Sequence, residues 1–337
     1  MKRIWDHVEI TINNEKVKAI SPLIISASRS TDIPAFYSEW LLKRLEAGYV
    51  KWVNPFNQKA EYVSLKNARV FVFWSKNPEP LIEHLPEFDR KGIGYYVQFT
   101  LNDYEKEGFE PNLPPLEKRI ATFKKLSQTI GKKKVIWRFD PLILGGNLNL
   151  KALLEKIKKV GGEIHSFTEK LVFSFADIAI YQRVKNNLKR ARFSWEEWRE
   201  DLMQEMAKGI MELNSQWGLR VSTCAEKIDL KRFGITPNKC IDDELMKDLF
   251  SDDNELMDFL GFQNSIFPGQ KLRCAPKDPG QRPNCGCIIS KDIGQYNTCP
   301  HQCVYCYANS SPSLVKKNFT RHKPNNDAII SAMESLP

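Results

Sequence analysis

Apolar residues along the chain form short β-branched or aromatic runs, separated by longer segments with helical spacing. The runs Leu23–Ser28, Val70–Trp74, Tyr95–Thr100, Val135–Phe139, Leu171–Phe175 and Leu219–Thr223 each predict a buried strand. Helices are predicted over about 34–47, from Pro78 and Pro80 onward, and over about 115–130, 150–160, 178–189 and 195–217. The last carries a stripe of Trp195, Trp198, Leu202, Met206, Ile210 and Leu213, which reads as core packing. Residues 4–20 alternate as a hairpin, with Val8, Ile10 and Ile12 on one side and a turn at Asn13-Asn14. Residues 49–65 read as a further strand pair.

Strands alternating with helices imply right-handed βαβ units and a parallel sheet. Six such units predict an α/β fold: a parallel (β/α) barrel, in the form of a six-unit partial TIM-like barrel. An open doubly wound sheet would show the same pattern. In a barrel the site lies at the C-terminal strand ends. Polar or ionisable residues stand there: Arg29 and Asp32, Ser75-Lys76-Asn77, Asn102 and Asp103, Arg138 and Asp140, Asp177, then Cys224 and Glu226. After residue 226 the regularity stops. A helix is predicted near 242–250, then a Pro/Gly-rich loop through Pro268, Pro276, Pro279 and Pro283, and a closing helix over 325–336. The expected organisation is a barrel body, 1–226, closed by a cysteine-rich segment, 227–337, in one integrated domain.

Composition adds bounds. A chain of 337 residues with 42% hydrophobic and 27% charged residues suits a globular protein. The N-terminus lacks the apolar core of a signal peptide and no run reaches membrane-spanning length, so a cytoplasmic protein without a membrane partner is expected. The net charge of +9 would favour nucleic acid, but 41 acidic residues are interleaved with the basic ones. The densest basic runs, Lys132–Lys134 and Lys185–Arg192, read as solvated faces. There is no P-loop and no nucleophilic histidine triad.

The cysteines change the picture. Six of the eight fall within residues 274–306, a crowding that favours metal over disulfides in a reducing compartment. Cys299, Cys303 and Cys306 stand at C-x3-C-x2-C spacing in Thr298–Asn309. Thiolates favour soft metals and iron–sulfur clusters. Three thiolates on a four-iron cube leave one iron open for a small molecule. The alternative is zinc, with Cys285 and Cys287 completing the ligands of Cys303 and Cys306. A second site, either an auxiliary cluster or zinc, is drawn from Cys285, Cys287, Cys224 and Cys240, with Cys274 as a competitor. Free cysteine is also a common small buried hydrophobe. His301, inside the loop, would tune a cluster by hydrogen bonding or ligate zinc.

The triad, with Tyr305 before its third cysteine, resembles the signature of the radical S-adenosylmethionine (SAM) enzymes. The stretch 281–309 is similar to a bacterial family of unknown function noted for a C-terminal cysteine cluster of that kind. Ile25–Tyr37 and Asn54–Gln58 resemble that family too. The resemblance implies a [4Fe-4S] cluster whose open iron binds SAM. It also implies one-electron cleavage to a 5′-deoxyadenosyl radical acting on an unknown substrate, and a flavodoxin or ferredoxin as reductant. Tyr305, Arg29, Asp32, Arg138, Asp140, Asp177 and Glu226 are then candidates to hold the cofactor, arginine suiting the carboxylate and acids the hydroxyls. A structural ion-pair network would use the same residues.

Two departures from the radical SAM pattern stand out. The cysteine loop follows the sixth unit instead of the first strand, so 292–297 would be a strand added last, in permuted order. Arg29-Ser30-Thr31-Asp32 occupies the place of a Gly-Gly-Glu motif. The competing reading is a non-catalytic iron–sulfur or zinc protein that binds nucleic acid. A radical enzyme acting on nucleic acid, resembling spore photoproduct lyase, is a third.

Overall fold

The computed structural model describes residues 5–55, 57–262 and 273–330. The elements, in order, are β1 (His7–Ile12), β2 (Glu15–Ile20), β3 (Ile24–Ala27), α1 (Ile33–Phe36), α2 (Ser38–Ala47), β4 (Tyr49–Val53), β5 (Ala60–Ser64), β6 (Val70–Ser75), α3 (Glu79–Ile82) and α4 (Leu85–Arg90). Then come β7 (Gly94–Thr100), α5 (Leu116–Ile130), β8 (Val135–Leu142), α6 (Leu150–Ile164), β9 (Lys170–Phe175), α7 (Gln182–Arg190), α8 (Glu200–Asn214) and β10 (Arg220–Thr223). The last are β11 (Thr236–Pro237), α9 (Asp243–Phe250), α10 (Asn254–Leu260), β12 (Lys291–Asp292) and α11 (Pro312–Arg321).

The six predicted strands form one parallel sheet in sequence order, and two short strands extend it. The order is β11-β10-β9-β8-β7-β6-β3-β12, with every neighbouring pair parallel. β11 and β12 are its two edges. The fold is therefore α/β around an eight-stranded parallel sheet, and the ladder is not closed into a ring among the described residues. β12 lies beside β3, with Lys291 opposite Ile25 and Asp292 opposite Ser26. The strand before the cysteine loop thus occurs last in sequence but docks against the first strand. It spans Lys291–Asp292, shorter and earlier than the expected 292–297.

Both faces of the sheet are buried, as a parallel sheet requires. Side chains alternate with period two. Phe71, Phe73, Val97, Phe99, Trp137, Leu171 and Phe173 enter one core with helical residues such as Trp40, Phe123, Leu153 and Ile210. Ile24, Val70, Val72, Tyr96, Ile136 and Val172 enter a second core with Ile241, Leu245, Met246, Leu256 and Leu260. Each large apolar side chain so buried contributes roughly 1.5–3 kcal/mol. Residues 227–262 and 273–330 therefore supply two edge strands, and α9, α10 and the cysteines before β12 cover the second face.

The hairpin and the 49–65 pair combine into a second sheet. β2 pairs in parallel with β5, which joins them into a four-stranded sheet, β1-β2-β5-β4, with a small core of Ile10, Ile12 and Ala19. Asn13 and Asn14 both have positive φ, as the tight turn demands.

Several helices differ from expectation. The 34–47 segment breaks at Tyr37, whose φ of −135° leaves the helical region, into α1 and α2. α8 begins at Glu200 instead of 195, because the preceding segment is held against β8. Trp198 donates its indole N–H to the Leu142 carbonyl, and Glu196 bridges Leu144. Gly145 permits that approach, since a Cβ there would lie 2.3 Å from the Ser194 oxygen. Residues 325–330 form turns and bends where a closing helix was expected, and 331–336 lie outside the described residues, as does Pro268. The irregular 227–297 stretch contains α10 as well as the expected helix α9.

Candidate functional site

The cysteine loop is moored at four points. Asp292, in β12, accepts hydrogen bonds from Ser26 Oγ, Ser28 Oγ and the amide of Arg29, each at 2.8 Å, and from the amide of Gly294 at 2.9 Å. Gly294 must be glycine: a Cβ would stand 1.9 Å from Ser28 Oγ. Tyr37, at the helix break, donates its hydroxyl to the Thr298 carbonyl at 2.5 Å. Asp32 caps α1 by accepting the amide of Ala35, and it also accepts from Ser75 Oγ, the amide of Lys76 and His301 Nε2. Asp32 therefore ties the ends of β3 and β6 to the loop, and its carboxylate is already occupied. The Nδ1 of His301 is buried without a partner.

Tyr305 is the fourth mooring. Its hydroxyl donates to Glu110 Oε1 and accepts from Lys76 Nζ at 2.8 Å and Asn102 Nδ2 at 3.0 Å. Glu110 pairs with Lys76 at 2.8 Å and with Arg119 at 3.5 Å. Burial pushes the Glu110 carboxyl up, but the two cations outweigh it and hold the group below its ordinary value. Tyr305 is thus committed to an interior network at the ends of β6 and β7. Lys76 was expected at a strand end, as a phosphate or substrate contact or part of an exposed loop, and Glu110 and Arg119 carry no signal in the sequence.

Cys299, Cys303 and Cys306 are free and lie within electrostatic range of one another. Burial raises all three thiols. The Lys76 ammonium opposes that rise at Cys303, and Lys76 with Arg183 opposes it at Cys306. Among the described residues, no group of three or more His, Cys, Asp or Glu side chains is arranged around a single ion. A four-iron cluster makes a different demand, because each iron takes one thiolate and the ligands stand farther apart. The surroundings fit such a group in charge and in orphaned polarity. A cation stands by the sulfurs, and the buried atoms Thr31 Oγ1, Asn77 Oδ1, His301 Nδ1 and Asn309 Oδ1 lack partners near the loop.

The remaining candidates divide into two sets. Asp140, Asp177 and Glu226 come together at the ends of β8–β10. Arg138 pairs with Asp140, which also accepts from Ser174 Oγ. Arg282 lies 3.4 Å from Asp177. Glu226 accepts the amide of Phe175, and burial pushes its carboxyl up to about 8. Arg29 faces another way, 3.8 Å from Asp278 and 4.9 Å over the Trp74 ring, with Nη2 buried and unpartnered. Arg282 and Asp278 sit in the Pro/Gly-rich loop, where no pattern marks them.

Cys224, Cys240, Cys285 and Cys287 also converge. Cys224 Sγ lies 3.7 Å from Cys240 Sγ, and hydrogen bonding links Cys240 to Cys287 and Cys287 to Cys285. The contact with Cys287 lowers Cys285 to about 7. Cys274 is exposed.

A family model described as "Domain of unknown function (DUF1848)" matches residues 24–308, from β3 to the end of the cysteine loop. The chain belongs to this family. No curated protein matches the chain. One solved structure similar to this DUF1848 chain comes from Bacteroides thetaiotaomicron VPI-5482 and carries a provisional alpha-L-fucosidase assignment. It is 11% identical, with 57% of this chain and 85% of that chain covered, at a TM-score of 0.23. A score that low carries no inference about fold or chemistry. Among the described residues, no helix is long and apolar enough to cross a membrane.

Proposed function

We propose that this DUF1848 protein is an iron–sulfur enzyme of the radical SAM kind, with Cys299, Cys303 and Cys306 as ligands of a [4Fe-4S] cluster. The observation that carries the reading is the position of the three thiols, Cys303 buried and Cys299 and Cys306 half-buried. They follow an edge strand of the parallel sheet, at the C-terminal strand ends, with the Lys76 cation beside them. On this reading the sheet is a partial barrel in permuted order, with β12 in the place of the first strand.

When bound, the cluster supplies one electron and an open iron at which SAM can be cleaved. The chain's own residues do the rest. Lys76 offsets thiolate charge at Cys303, and Glu110 with Tyr305 fixes Lys76. His301, oriented by Asp32, keeps its buried Nδ1 unpartnered and would be available to hydrogen-bond a cluster held by the loop. Asp140, Asp177 and Glu226 offer acceptors for hydroxyls at the same strand ends. Glu226 is the acid held most strongly toward its neutral form, which suits a proton donor or acceptor near neutrality. A small acidic electron carrier is the expected reductant.

The test is on anaerobically purified protein: iron and sulfide content, then an electron paramagnetic resonance spectrum of the reduced protein with and without SAM. The expected result is a four-iron signal that changes on adding SAM and disappears in Cys303→Ala. Zinc at this site, or a cluster indifferent to SAM, would sink the proposal.

A further inference from the structure

The four thiols of Cys224, Cys240, Cys285 and Cys287 lie apart from the 299–306 loop and have no part in the proposed reaction. They come from three separate places: the end of β10, the segment after β11, and the loop before β12. The sequence holds 46 residues between Cys240 and Cys287, so their meeting is a property of the fold. Cys240, Cys285 and Cys287 are almost wholly buried, at 6%, 7% and 2% exposure.

The hydrogen-bond donors around them are the informative feature. The amides of Cys240 and Ile241 point at Cys287 Sγ, at 3.2 and 3.4 Å. Asn238 Nδ2 and Arg138 Nη1 point at Cys240 Sγ, at 3.3 and 3.0 Å. A thiol sulfur is a weak acceptor. Ending two backbone amides and a side-chain amide on neutral thiols would leave strong buried donors poorly satisfied, which costs stability, while the Arg138 guanidinium, though paired with Asp140 and Gln98, also places positive charge beside Cys240 Sγ. The same donors are well used if the sulfurs are thiolates, and hydrogen bonds to sulfur are one way proteins stabilise metal thiolates. Arg29 adds a second guanidinium, drawn electrostatically toward Cys287 and Cys240. Packing of four small apolar side chains would call for none of these groups.

We infer that Cys224, Cys240, Cys285 and Cys287 form a second, four-thiolate metal centre, separate from the cysteine triad and independent of SAM. Four thiolates and no oxygen ligand select a soft centre, which is zinc or an iron–sulfur cluster. The sulfurs do not yet surround one point, so loading requires the side chains to rotate inward. Each S–H bond gives way to a sulfur–metal bond, and up to four protons pass to solvent. The centre would fasten the chain around Cys240, Cys285 and Cys287 to the ends of β8 and β10.

The experiment separates this centre from the triad. The full chain carrying Cys299→Ala, Cys303→Ala and Cys306→Ala is purified anaerobically and assayed for zinc, iron and sulfide, with circular dichroism as the check on folding. It should retain about one zinc or a complement of iron and sulfide per chain. That metal should be lost when Cys285→Ser and Cys287→Ser are added. The identity of the retained metal decides between zinc and a cluster. If the triple variant does not fold, wild type is compared with Cys285→Ser/Cys287→Ser alone, and the same decrement is expected. Cobalt(II) gives a second readout: added to metal-free protein, it should produce the visible absorption of a thiolate complex in the triad variant, absent when Cys285 and Cys287 are replaced. A folded triad variant with no metal and no cobalt spectrum overturns the inference, as does metal content unchanged by loss of Cys285 and Cys287. Either result leaves the SAM-dependent signal of the triad untouched, so the two proposals fail separately.

Discussion

The two cysteine groups are built in opposite ways. The triad lies on one loop, within eight residues, Cys299 to Cys306. Its spacing is a matter of local chain geometry, and tertiary structure only moors it. The four-thiol group is collected from three segments that meet over the second sheet face. Their electrostatics differ as well. The triad's charge partner is Lys76, held by Glu110, Arg119 and Tyr305 in a buried network. The four-thiol group receives donors directly on sulfur, from two amides, Asn238 and Arg138. A short motif can thus be legible in sequence while its supporting charges are not, and a site without a motif can still carry a full set of partners.

The largest expected effect breaks the triad side. Glu110→Ala strands Lys76 and Arg119 in the interior, and removing one partner of a buried ion pair costs about 3–5 kcal/mol. Urea denaturation should show that loss, while Glu110→Gln, which keeps the hydrogen bond to Tyr305, should lose less. The matching break on the other side is Arg138→Met. It leaves the less buried Asp140 with Ser174 as partner and removes the donor to Cys240 Sγ. Roughly 2–3 kcal/mol is expected by the same measurement. If Arg138→Met cost more than Glu110→Ala, the four-thiol side would be the more tightly coupled, reversing the comparison.

Smaller changes sharpen it. Gly294→Ala drives a methyl group against Ser28 beside the Asp292 hydrogen bonds, at about 1–3 kcal/mol, and should loosen the triad loop without touching the four-thiol group. Limited proteolysis would reveal new cleavage confined to 294–310. The smallest effect is pH-dependent. Burial lowers the pKa of His322, at the end of α11, below its ordinary 6.5. The unfolded chain then binds the proton more readily, so stability is complete above pH 6.5 and falls as pH drops through the folded value. The ring is half-buried, so the change is a fraction of a kcal/mol. Thermal unfolding at a series of pH values should show a shallower slope in His322→Asn.

How much the sequence revealed varied by element. The runs at 70–74, 95–100, 135–139 and 171–175 are buried on both faces, and such runs announce themselves by composition. The helix begins later than the 195–217 pattern suggests because Trp195 and Trp198 keep helical spacing, while Trp198 is bonded to β8 and Glu196 bridges Leu144 ahead of the helix. Asp292 was expected only as the first residue of a strand. Its four hydrogen bonds depend on Ser26 and Ser28 lying beside it, more than 260 positions away in the chain. The expected strand-end acids do gather at 140, 177 and 226, but Asp32 turned toward His301 and Lys76 instead of joining them.

By itself, the amino-acid order determined the alternation of strands and helices, the parallel sheet that follows from it, and the triad, because each depends on residues near one another in the chain. The tertiary structure alone decided where the last strand docks, which charges stand beside the triad, and that four scattered cysteines share one region. Those outcomes depend on how far-separated segments pack, and packing energy is set by contacts that no local pattern records.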